Sequence, residues 1–201
     1  MRVIMLAPPG AGKGTQGERI AARYGIPHIS SGDIFRDEVA RQTPLGKQLS
    51  GYLDHGDLVP DGVVMDMLRK PVVAAAQAGG YVLDGFPRTV EQARASFPTA
   101  HALGVEVRAA VHLDVTRPEL KRRLLARRRG LEDTEAVIER RLQVYLDKTV
   151  PLLEYYAARE WTFTVDGAQP PDAVHEDIVA CLQGWALGAN RHQGRSRRMS
   201  G

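Results

Sequence analysis

Only one cysteine, Cys181, occurs in the chain, so no disulfide can close within it, and a reducing, cytoplasmic setting is the expectation. Cys181 itself lies in the apolar helical pattern DIVACLQGWAL and reads as a core residue. Long hydrophobic runs are missing too. The apolar N-terminal run is too short for a membrane span or a signal peptide and leads straight into a glycine-rich loop, so no membrane partner is expected. A strong excess of one charge is also lacking: 27 Lys and Arg stand against 24 Asp and Glu, for a net charge of +3. Four of those cations, Arg191, Arg195, Arg197 and Arg198, sit in the final stretch RHQGRSRRMSG, which has no acidic residue. The remainder is slightly acidic, so no specific nucleic-acid partner is expected; residues 191–201, polar and unpatterned, read as a disordered basic tail. No internal repeat is visible.

What the chain does have is 43% hydrophobic content over 201 residues, enough for one domain with a real core, here 1–190. Short apolar runs at 2–6, 27–29, 81–83, 107–113 and 162–165 read as buried strands. Helical patterns at 14–24, 61–78, 90–95, 118–128, 134–159 and 172–185 alternate with them. That alternation predicts an α/β fold in three layers, a parallel five-stranded sheet with helices on both faces. Ligands of such folds sit beyond the carboxyl ends of the strands, and the unusual polar sequences lie there: LAPPGAGKGTQ, SSGD and DGFPR. Residues 30–59 are too many for a plain crossover. They contain two short helical stretches and read as a helical insertion over the sheet edge, suited to act as a mobile cover.

The stretch LAPPGAGKGTQ, residues 6–16, departs from the phosphate-loop pattern G-x-x-x-x-G-K-[ST] at two places. Ala7 replaces the first glycine, and Gly14 follows Lys13, so the hydroxyl arrives one place later at Thr15. An ordinary glycine-rich turn would account for it less well than a phosphate cradle, because strand, loop and helix follow in the required order. Gly10, Gly12 and Gly14 let the backbone curl around an anion, the helix start adds its positive dipole end, and Lys13 adds a mobile cation. Pro8 favours an extended Ala7, which makes that departure tolerable.

Five segments, PPGAGKGTQ, ISSGDIFR, GDLVPD, DGFPRTVEQA and RRLQVYLDKTVPLLEYY, occur in order, with spacings similar to those of adenylate kinases, over most of the chain. The resemblance implies a P-loop fold with a nucleoside-monophosphate-binding insertion at 30–59, a very short lid near 127–133, and Mg2+-dependent transfer ATP + AMP ⇌ 2 ADP. By resemblance Gly10, Ala11, Gly12, Lys13, Gly14 and Thr15 hold the ATP phosphates, with Arg123, Arg127 and Gln169 also on the ATP side. Arg36 and Arg88 grip the acceptor phosphate, and Asp84 with Thr15 holds magnesium through water, with help from Asp33. Lys13, Asp84, Arg88, Arg127 and Arg141 form the catalytic set, because phosphoryl transfer needs charge stabilisation more than a general base.

For the acceptor base the resemblance points to Ser31, Gln92 and the backbone of Asp57, Leu58 and Val59, with Gly85, Phe86 and Pro87 alongside and Arg129 and Arg141 nearby. The Gln92 amide can donate and accept at once, which suits the edge of adenine. Pyrimidine monophosphate kinases tend to carry Ala at the Ser31 place and Asn near Thr89 and Gln92, so AMP is the expected acceptor. The family usually continues into a longer lid and carries an arginine two residues before its acidic pair; here Gly130 stands at that place, and Arg129 is expected to take over the contact. The chain has no cysteine set for a zinc-bound lid. Arg117, Lys121 and Arg122 read as a solvated helix face. A monomer is expected. Two other readings remain open at this point: a UMP/CMP kinase, and a nucleotide-binding module that has lost transfer. The second fits poorly, because one bound nucleotide would not need arginines on two sides of a second site.

Overall fold

The structure is a computed structural model that describes residues 1–159 and 161–196. Its strands are β1 (Arg2–Leu6), β2 (His28–Ser30), β3 (Tyr81–Asp84), β4 (Ala109–Asp114) and β5 (Trp161–Asp166). They form one five-stranded sheet in the order β2-β3-β1-β4-β5, and every pairing is parallel. The helices are α1 (Lys13–Tyr24), α2 (Ser31–Ala40), α3 (Pro44–His55), α4 (Asp61–Gln77), α5 (Val90–Ala102), α6 (Arg117–Arg127), α7 (Glu135–Val144), α8 (Pro151–Ala157) and α9 (Pro171–Ser196). The expected α/β three-layer fold is therefore present.

The period of two along a strand explains the layers. In central β1, Val3 and Met5 join one apolar cluster, with Ile20 of α1, Leu124 of α6, Ile138 of α7 and Ile178 of α9. Ile4 and Leu6 point the other way, into a cluster with Phe35 of α2, Leu49 of α3, Leu68 of α4 and Leu152 of α8. A strand buried on both faces needs no polar alternation, which is why RVIML reads as a continuous apolar run. Local signals start the two insertion helices: Ser30 Oγ accepts from Asp33 N at 3.2 Å, and Thr43 Oγ1 accepts from Gly46 N at 2.9 Å, with Pro44 opening α3.

Three elements differ from the periodicity reading. The helix expected over 134–159 is broken into α7, a π-helical turn at Tyr145–Thr149 and α8. Helix α5 runs through Pro98 to Ala102 rather than ending near 95, because the one backbone bond that Pro98 removes does not stop a helix on this partly exposed surface. Helix α9 continues to Ser196, so 191–196 have helical backbone where a disordered tail was expected, and 197–201 lie outside the described residues. Among the described residues no helix is long and apolar enough to cross a membrane.

Candidate active site

The loop after β1 is built as an anion cradle. Gly10 and Gly12 have φ of 85° and 95°, in the left-handed region that favours glycine. A Cβ on Gly10 would also lie 2.8 Å from Cγ of Leu124 on α6. Gly12 caps α1 with no side chain filling the cap, so the free N–H groups of the first turn are open to an anion. Ala7 and Ala11 are buried in the core, which braces the loop from beneath and accommodates the missing first glycine. Lys13 Nζ donates to the carbonyls of Ala7 at 2.9 Å and Pro8 at 3.2 Å. Burial pushes its pKa down to about 8; Asp84 pulls upward, and Arg88, Arg141 and Arg127 add to the depression.

Beyond the strand ends this loop opens onto a cleft of about 450 Å³ lined by seven cationic side chains and three carboxylates. Lys13 comes from α1, Arg36 from α2, Arg88 from the loop after β3, Arg123 and Arg127 from α6, Arg129 from the turn after it and Arg141 from α7. Asp84, 8% exposed at the end of β3, lies among them, and Thr15 lines the same cleft. Such a density of positive charge is stable only because carboxylates or a bound anion balance it.

On the insertion side the backbone of Arg88 is tightly held. Its N–H donates to Gln92 Oε1 at 2.7 Å, and its Nε donates to the Gly85 carbonyl at 2.9 Å. Burial lowers the Arg88 pKa, with Asp84 opposing that shift. Gln92, 2% exposed, also donates from Nε2 to Asp61 Oδ1 at 2.7 Å, which ties the start of α5 to the start of α4. Phe35, Leu58, Val59 and Val64 wall a slot whose polar end is Gln92 and Arg88.

The short lid is a 3-10 turn, Gly130–Asp133, entered through Arg128 and Gly130 at positive φ of 56° and 57°. Arg127 meets Asp133 with both prongs of its guanidinium, Nε at 3.0 Å and Nη2 at 2.5 Å, while Arg129 N donates to the same carboxylate at 2.7 Å. Burial alone would raise the pKa of Asp133, but these bonds outweigh it and hold the carboxyl below its usual range. Glu132 Oε2 lies 3.2 Å from Arg141 Nη1 and 3.9 Å from Arg36 Nη1. Burial lowers the Arg141 pKa to about 10, with Glu132 opposing. Arg129 is likewise lowered, by burial and then by Arg127 and Arg36.

The sequence model of the family described as Adenylate kinase matches residues 5–161. The chain belongs to the adenylate kinase family. Among its curated relatives, the adenylate kinase of Mycobacteroides abscessus is 50% identical over 78% of this chain and 86% of its own. That of Leptospira biflexa is 48% identical over 90% of this chain and 99% of its own, and that of Trichodesmium erythraeum is 44% identical over 89% and 95%. This adenylate kinase chain is thus a phosphotransferase.

Its fold brings most of the expected site residues together. Gly10, Gly12, Lys13, Gly14, Thr15, Arg36, Asp84, Gly85, Arg88, Arg123, Arg127, Arg129 and Arg141 all line the cleft. Asp57, Leu58 and Val59 line the slot beside it, and Ser31, fully buried, keeps an unpartnered hydroxyl next to Gly85. Three expected residues lie elsewhere. Phe86 and Pro87 line an apolar groove with residues of α4 and α5, so their side chains support the loop from the opposite face. Gln169, in the loop after β5, donates to the Asp166 carbonyl at 3.2 Å and to Asp177 at 2.8 Å. Arg123 reaches that loop as well, donating to the carbonyls of Gly167 and Ala168. Arg117, Lys121 and Arg122 pair with glutamates on the surface. Sequence reasoning assigned no role to Asp61 or Glu132, whose partners are 31 and 9 residues away.

Proposed function

We propose that the cleft holds ATP and AMP end to end and transfers the γ-phosphoryl group between them. The chain catalyses ATP + AMP ⇌ 2 ADP, the reaction of an adenylate kinase. The observation that carries the site assignment is the convergence of seven cations from separate elements on one cleft that also contains an open helix N-terminus. In this reading the backbone of Gly10–Thr15 and Lys13 hold the donor phosphates, Arg36 and Arg88 hold the acceptor phosphate, and Arg127, Arg129 and Arg141 stabilise charge on the group in transit. An oxygen of the AMP phosphate forms the new P–O bond as the bond from the γ-phosphorus to the bridging oxygen breaks, leaving ADP on both sides.

The residues present fit magnesium: the Asp84 carboxylate and the Thr15 hydroxyl are hard oxygen donors lining the phosphate cleft. When bound, Mg2+ would neutralise phosphate charge in the transition state. The acceptor slot, walled by Phe35 of α2 and Leu53 of α3, continues past Leu58, Gly85 and Arg88 into the neighbouring cavity that Lys13, Arg36 and Arg141 also line. Glu132 stands where it meets two of the acceptor-side arginines and must yield when phosphate arrives. A cytoplasmic monomer completes the reading, supported for the compartment by the single cysteine; size-exclusion chromatography should give the mass of one chain. The test of the whole is ADP formation from ATP with AMP, CMP, UMP and GMP in turn: AMP should be preferred, and preference for CMP or UMP would overturn the acceptor assignment.

A further inference from the structure

The helix that carries Arg141 does not continue as an α-helix. After Val144 it widens into the π-helical turn Tyr145–Thr149, closed by Val150 N donating to Tyr145 O at 3.0 Å. In an α-helix of 3.6 residues per turn, a residue eight positions beyond Arg141 would be rotated about 80° from it. One extra residue in a wider turn removes most of that offset. Arg141, Tyr145 and Thr149 accordingly line one cavity beside the cleft, together with Lys13, Arg36 and Arg88. Thr149 is buried, and its Oγ1 donates to the carbonyl of Arg88, 61 residues away, at 2.8 Å. Tyr145, at the head of the turn, is held from the sheet by His112, whose Nε2 lies 3.1 Å from the phenol oxygen.

We propose that Thr149 is a positioning residue for Arg88, and that the π-helical turn exists to deliver its hydroxyl to the Arg88 carbonyl. The Arg88 backbone is then held at both of its flanking peptide groups, with Gln92 accepting from its N–H and Thr149 donating to its C=O. The grip locks the acceptor-side arginine to the helix that carries Arg141, so two phosphate-binding guanidiniums from distant parts of the chain move as one unit. An arginine that has to meet a group in transit gains from a fixed backbone, because small misplacement near reacting atoms is costly. The inference rests on the assignment of Arg88 to the acceptor phosphate.

Steady-state kinetics on three variants test it. Thr149→Val keeps the shape and removes the donor; turnover should fall about tenfold and KM for AMP should rise, with KM for ATP unchanged. Thr149→Ser, which restores the hydroxyl, should behave like the parent. In an Arg88→Lys background, adding Thr149→Val should cost little more, because both changes act through one side chain. Should Thr149→Val fail to fold, the same kinetic split in Thr149→Cys, whose S–H is a weak donor, carries the test. A normal turnover and AMP KM in the donor-less variant, accompanied only by a lower melting temperature, would overturn the proposal, as would additive losses in the double variant. Failure of the underlying assignment looks different: Arg88→Lys alone would then leave AMP use intact.

Discussion

The two halves of the cleft are built on opposite principles. In the proposed assignment the phosphate-holding part of the donor half is local: eleven consecutive residues, 6–16, supply strand end, loop, lysine and helix start, and its anion-binding groups would be mostly backbone N–H. In the same assignment the acceptor half is assembled from side chains on α2, the loop after β3, the turn after α6 and α7, and the guanidiniums of Arg36, Arg88 and Arg141 are each held by a carboxylate or carbonyl. A backbone cradle is organised by the fold and needs no counter-charge. A cluster of guanidiniums repels itself, and Asp33, Glu132 and Asp133 supply the balancing charge.

If that contrast is right, the donor half should have one charge that nothing replaces. Lys13→Ala should keep the fold, as seen by circular dichroism, and reduce turnover at least about 10²-fold. Near-normal turnover would mean that the backbone suffices and would collapse the distinction.

The acceptor half should show division of labour among neighbours. Arg129 lines the cleft and Arg128 does not. Arg129→Ala should lower turnover about tenfold, a loss on the order of 1.4 kcal/mol, while Arg128→Ala should stay close to the parent. Equal, small effects abolished by salt would instead make the lid a diffuse positive field.

Gln92 sharpens the comparison because the proposed base contact and the observed contact with Arg88 meet in one side chain. Its carbonyl accepts from Arg88 N and one amide hydrogen goes to Asp61, leaving one amide hydrogen and one carbonyl lone pair for an adenine edge. Gln92→Ala should raise KM for AMP several-fold, within the roughly 1 to 3 kcal/mol of a lost buried partner, and should also lower turnover through Arg88. An unchanged turnover would separate the two roles and weaken the coupling drawn here.

The smallest effect concerns protons. Burial holds the folded Lys13 pKa near 8, below the unfolded value of about 10.4. Between those values the unfolded chain binds more protons, so the Lys13 contribution to stability of the free protein rises as pH increases from about 8 toward 10. Bound phosphate favours the charged lysine, so ATP binding above pH 8 should take up protons, and KM for ATP should rise with pH there. Calorimetry in buffers of different ionisation enthalpy measures the uptake, and Lys13→Ala should abolish it. Uptake that persists in that variant would assign the proton to another group.

The sequence by itself determined the alternation of strands and helices, the loop at 6–16 and the identity of nearly every cation in the cleft. Each of these depends on residues close together in the chain: the continuous apolar run in RVIML, the glycines around Lys13, the proline that precedes Arg88. Tertiary structure alone decided how those cations are held. No local pattern says that Glu132 bridges Arg36 and Arg141, that Asp61 ties down Gln92, or that Phe86 faces away from the nucleotide cleft. Nor does the apolar spacing of 134–159 show the π-helical turn at Tyr145–Thr149, whose register is fixed by contacts outside the helix such as Thr149 with Arg88. These features follow from where segments tens of residues apart come to lie once the sheet is ordered, and charge neutralisation at close range depends on distance in space rather than separation along the chain.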